Sequence, residues 1–99
     1  MMSRHAVIAP HVQAFFAEHL CQHKRVSPQT IASYRDTFRL LLTFVKEATG
    51  KEPSALHIHD LDAPVVLHFL DYLEHQRGNA IRSRNMRLAA IHSFARFLA

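Results

Sequence analysis

The prolines and glycines of this 99-residue chain fall at the edges of its apolar stretches, and that punctuation divides it into helices. Pro10, Pro28 and Pro64 each stand where a periodic apolar run begins. Proline suits the first helical turn, because the amide it lacks has no partner there. Gly50 and Gly78 stand where runs end, and glycine readily takes the left-handed conformation that stops a helix. With only 2 Gly and few β-branched residues, a sheet protein with many tight turns is disfavoured. The expected fold is all-α, a compact bundle of four helices over about residues 10–23, 28–49, 63–76 and 80–98. Residues 1–9 are expected to be a loose leader before a single domain.

Val12, Phe15, Phe16 and Leu20 supply the apolar side of the first helix. Ser27 is placed to cap the second, whose main stripe is Ile31, Tyr34, Phe38, Leu41, Leu42 and Val45. Leu40 and Phe44 add a further apolar side to its second half, which therefore needs more than one covering neighbour. Its first half keeps Gln29, Ser33 and Asp36, with Thr37 nearby, on the side away from the stripe. Residues 51–61 read as an irregular connector in which Leu56, Ile58 and Leu61 face the core while His57 and His59 alternate outward. Asp62 is the expected cap of the third helix, with Val65, Val66, Phe69, Leu70 and Leu73 inside. Asn79 is placed to cap the fourth helix, with Ile81, Leu88, Ile91, Ala95 and Leu98 as its buried stripe. Phe94 and Phe97 fall off that stripe.

Charge is segregated along the chain. Residues 1–45 carry five Lys/Arg and two acids, residues 46–74 two Lys and six acids, and residues 75–99 five Arg and no acid. The net +4 is thus concentrated at the two ends. A surface basic only for solubility would intersperse its signs, so a helix burying one side and carrying arginine on the other is a candidate polyanion binder.

Other chemistries find little material. The 9 His include His19 and His23 one turn apart, and His57 and His59, but there is no paired-cysteine motif and no H-E-x-x-H. Solvated imidazoles are the expectation, with no metal and no cofactor. Neither a P-loop, a G-x-G-x-x-G nor a G-x-S-x-G occurs, and Asp60 and Asp62 are explained by capping. No catalytic residue and no small-molecule substrate are expected. Cys21 is the only cysteine, as in a protein of a reducing compartment. No apolar run approaches the roughly 20 residues that span a bilayer, and the first ten residues lack a signal-peptide core. A cytoplasmic protein without membrane contact is expected.

An ordered set of motifs then adds a resemblance. Phe15-Phe16-x-x-x-Leu20, Ser27-Pro28-x-Thr30-x-x-x-Tyr34, Leu41-Leu42-x-Phe44, Leu61-x-x-x-x-Val66-x-x-Phe69-Leu70-x-x-Leu73, Gly78-Asn79 and Arg84-Asn85-x-x-Leu88-Ala89-Ala90-Ile91-x-Ser93-Phe94 follow in sequence. Together they resemble the N-terminal core-binding, SAM-like domain of tyrosine recombinases, the phage integrase family, over about residues 10–98. The resemblance implies a non-catalytic domain that clamps double-stranded DNA at a recombination site, among recombinase protomers assembled on that DNA. It implies that Ser27, Gln29, Thr30 and Ser33 at the start of the second helix meet phosphates or base edges, with Lys24 and Arg25 in the connection before them. It implies that Arg82, Ser83 and Met86 lie at the groove, flanked by Asn85 and Arg87. Arginine pairs with guanine edges or phosphates and asparagine with adenine. Met86 departs from the polar residue common at its position; either it contacts a thymine methyl or this position reads nothing. The family's catalytic domain is expected to follow such a domain. Tyr34 and Tyr72 lie inside predicted helices and are not its nucleophile, so this chain is not expected to cut or rejoin DNA alone. The alternative is a helical interaction or oligomerisation module using Leu40, Phe44, Phe94 and Phe97 as a contact face.

Overall fold

Ser27 and Gly50 set the longest element. The structure, a computed structural model, is described over residues 7–23, 26–76, 78 and 81–99, without the side chains of Gln22, His23 and Gln76. The Ser27 hydroxyl accepts from the Thr30 amide at 3.2 Å, and Gly50, at φ 78°, donates its amide to the Lys46 carbonyl at 2.7 Å. Between these caps helix α2 runs Pro28–Thr49. Its 22 residues span about 33 Å at the usual rise, nearly the full 35 Å of the longest dimension. The two ends of α2 therefore stand at opposite ends of the molecule.

Helix α1 runs Ala9–Ala14 and continues as a π-helix over Phe15–His23. The wider π turn pairs residues five apart, so Phe15 and Leu20 both reach the interior. Helix α3 runs Ala63–Gln76 and α4 runs Ile81–Leu98. Asp62 caps α3 by accepting from the Val65 amide at 3.1 Å. Gly78, at φ 66°, follows α3 in the left-handed conformation, while the Asn79 cap lies outside the described residues. The four expected helices are thus present in the expected order. The connector holds two short 3₁₀ turns, Pro53–Ala55 and Ile58–Asp60, with Leu56 buried between them.

The core is a meeting of aromatic rings. Phe15 lies 5.3 Å from Phe94, 5.5 Å from Phe97 and 6.1 Å from Phe38, joining α1, α4 and α2. On the other side of α2, Phe44 meets Phe69 at 5.7 Å and Tyr72 at 5.3 Å, so α3 covers its second half. Leu40, Phe44 and Phe97 are partly buried against the core and Phe94 is fully within it.

Three expectations need correction. Ile8, assigned to the leader, is buried, and its amide donates to the Leu56 carbonyl at 2.9 Å beside a Val7–His57 bridge. Packing therefore begins before Pro10, because the connector offers Ile8 an apolar seat. Helix α4 is turned by about one residue from its expected phase. Ile81 is 68% exposed and Ala95 is exposed, whereas Ala90 and Phe94 are buried. The rings of Phe94 and Phe97 reach Phe15, and filling the aromatic core outweighs burying Ile81 in the first turn. Finally, Thr37 is fully buried and Asp36 is half-buried toward α4. Their side of α2 is polar because it receives an arginine.

Candidate nucleic-acid interface

The start of α2 and the first half of α4 come together at one end of the bundle. Gln29, Thr30, Ser33 and Tyr34 of α2 line a shallow concavity with Met86 of α4. Gln29 is exposed, and Thr30, Ser33 and Met86 are half-buried. Arg82 and Asn85 are exposed on α4; Arg82, four residues before Met86, shares its side of the helix, and Asn85 lies three residues after Arg82. Among the described residues Arg82 has no ion pair. The concavity therefore offers amide, hydroxyl and thioether groups beside an uncompensated guanidinium.

Other expected contacts are placed differently. Ser27 is exposed, but its hydroxyl accepts from the Thr30 amide and donates to the Thr30 hydroxyl at 3.0 Å. Its first task is the helix cap. Ser83 is half-buried and does not line the concavity. Lys24 and Arg25 lie outside the described residues. Arg87 points into the fold. Its Nη1 donates to Asp36 Oδ2 and to Thr37 Oγ1, each at 3.2 Å, and its side chain is only 12% exposed. Tyr34 was not among the expected contacts, although it stands one turn after Thr30 on the same face. That spacing was the available signal.

Charged groups across the bundle are braced, both near the concavity and beyond the far end of α2. Asp36 also accepts from Arg39, and that bond, helped by Arg87, holds its carboxyl below the usual carboxylate range against the opposing effect of burial. Asp60 is lowered too, chiefly by the His57 amide at 2.8 Å and then by Lys51 at 3.1 Å. Arg84 Nε stands 3.9 Å from Glu74 Oε2, linking α4 to α3. Because both aspartates titrate lower when folded, their stabilisation is present above the unfolded value and lost as pH falls through the folded one. Thermal melts should show stability falling below about pH 4. Asp60→Asn should lower stability at neutral pH and flatten the acid limb. An unchanged acid limb would count against this assignment.

Among the described histidines His68, His75 and His92 are exposed, while three others stack on neighbouring rings. His19 stacks on Phe15 at 5.7 Å, and the rings of His57 and His59 stack at 5.5 Å. Asp71, Glu74 and His75 bring one potential ligand atom each to within 4.8 Å of one another. Asp71 and His75 are exposed and Glu74 is engaged by Arg84, so this is a solvated helix face. No helix among the described residues is long and apolar enough to cross a membrane.

Residues 13–99 match the phage integrase N-terminal SAM-like domain. The chain belongs to that family. It is 50% identical over 98 residues to a Sinorhizobium fredii protein named "Putative integrase/recombinase y4rC", and 43% identical over 98 residues to another from the same strain named "Putative integrase/recombinase y4rD". Each alignment covers 99% of this chain, but only 30% of the first relative and 35% of the second. No solved structure gives a significant match. The all-α architecture agrees with that SAM-like domain.

Proposed function

We propose that this domain binds double-stranded DNA as the non-catalytic N-terminal part of a tyrosine site-specific recombinase, through the start of α2 and the first half of α4. The observation that carries the reading is the convergence of Gln29, Thr30, Ser33 and Met86 on one concave surface beside exposed Arg82 and Asn85. Family membership supports it. Hydroxyl and amide groups serve phosphate oxygens and base edges, Met86 offers an apolar contact to a thymine methyl, and Arg82 supplies charge. The bound partner is duplex DNA, with further recombinase protomers assembled on it. Breaking and rejoining DNA belongs to a catalytic domain of the parent protein. The interaction-module alternative loses its motive, because Leu40, Phe44, Phe94 and Phe97 pack against the core.

Titration with duplex DNA at several salt concentrations tests the proposal. Affinity should fall steeply with salt, with a log–log slope growing by about 0.9 for each phosphate neutralised. Arg82→Ala should weaken binding roughly tenfold and lower the slope by about 0.9. Lys51→Ala removes the same charge beyond the far end of α2, where Lys51 pairs with Asp60, and should leave affinity nearly unchanged. Absence of binding at low salt would sink the reading, and equal losses from both variants would reduce it to diffuse charge.

A further inference from the structure

Arg87 has the sequence position of a DNA contact and the geometry of a brace. It stands three residues before Ala90 and seven before Phe94, both buried, and so lies on the inward line of α4. Its Nη1 bridges two adjacent residues of α2, reaching Asp36 Oδ2 and Thr37 Oγ1 at 3.2 Å each. Thr37 is fully buried and donates its own hydroxyl to the Ser33 carbonyl at 3.0 Å. Asp36 is held from the other side by Arg39. An unbroken set of hydrogen bonds therefore runs from the middle of α4 to the backbone of Ser33, which lines the concavity with Met86. Arg87 Nε is buried and has no hydrogen-bond partner among the described residues, so a phosphate cannot reach it without moving α4.

We infer that Arg87 is a positioning residue for the DNA-binding face: it fixes α4 against the turn of α2 that carries Ser33 and makes no phosphate contact itself. The inference rests on the duplex-binding reading above. The guanidinium suits this task because its planar fork fixes the directions of its N–H bonds, and the two of Nη1 meet acceptors on neighbouring residues. A lysine ammonium carries the same charge but not the fork. Ser33 and Met86 lie on different helices, so their spacing is set by what holds those helices together. Nearest the concavity, among the described residues, the Arg87 bridge is a polar link of that kind.

The two roles give opposite results in duplex titrations of the intact chain, read at a temperature where melting curves show each variant folded. Under the positioning role, Arg87→Lys weakens binding on the order of tenfold although charge is kept. Arg87→Gln weakens it with the salt slope unchanged. Thr37→Val removes the hydroxyl with no change of charge or size and also weakens binding at unchanged slope, while Thr37→Ser restores it. Under a phosphate-ligand role, Arg87→Lys binds nearly as wild type, Arg87→Gln lowers the slope by about 0.9 as Arg82→Ala does, and Thr37→Val has no effect. Those latter results would overturn the inference while leaving the duplex-binding reading intact. A wild-type chain that binds no duplex at low salt would remove both.

Discussion

Phe15→Ala is expected to cost the domain about 3–5 kcal/mol, the range for truncating a buried phenylalanine. Phe15 is fully buried, and its ring meets Phe16, Phe38, Phe94 and Phe97, so its loss opens space among α1, α2 and α4 together. Neighbouring rings cannot simply close the gap, since they are held on three different helices. A domain of this size is stable by roughly 5–10 kcal/mol, so the variant should melt some 15–30 °C below wild type. Phe97→Ala removes an equal ring from a half-buried site and should cost distinctly less. Thermal denaturation followed by circular dichroism reads both variants. Similar small losses would mean that the rings of α1 do not belong to the cooperative core.

The same ring explains why part of the fold was legible in the sequence and part was not. Helix boundaries are local matters: Ser27 with Pro28, Gly50, Asp62 with Pro64, and Gly78 act within a turn of themselves, and the helices begin and end beside them. Helix phase is not local. On α4 the line through Ile81, Leu88, Ile91 and Leu98 and the line through Arg87, Ala90 and Phe94 both satisfy helical spacing. Only the placement of Phe15 selects the second, and with it turns Arg87 inward. The charge pattern identified the basic helix, but it could not separate the exposed Arg82 from the internally bonded Arg87. Thr37 was similarly hidden. Its distance of four residues from Leu41 puts it on the buried side, and only its partner on α4 shows why a polar group sits there. The π-helical continuation of α1 and the seat of Ile8 on the connector have no local marker at all.

Met86→Glu should produce the largest loss of duplex affinity of any single substitution at the interface. Met86 lines the concavity with Gln29, Thr30 and Ser33, so a carboxylate there would meet the phosphate backbone at close range. Opposing like charges in such a contact costs several kcal/mol, or about a hundredfold or more in affinity at low salt. Folding should be little affected. The side chain is half-buried at the surface, glutamate is a good helix former, and Arg82 lies one turn away to receive the new charge. The last of these also neutralises the guanidinium proposed to bind DNA, which adds to the loss. Ala48→Glu, an exposed position near the far end of α2, makes the same change in net charge about 22 Å along the helix from Ser33 and should reduce affinity only a few-fold. Met86→Leu keeps an apolar surface and should bind within a few-fold of wild type. Comparable losses from the two glutamate variants would show that DNA is attracted by overall charge and is not seated between α2 and α4.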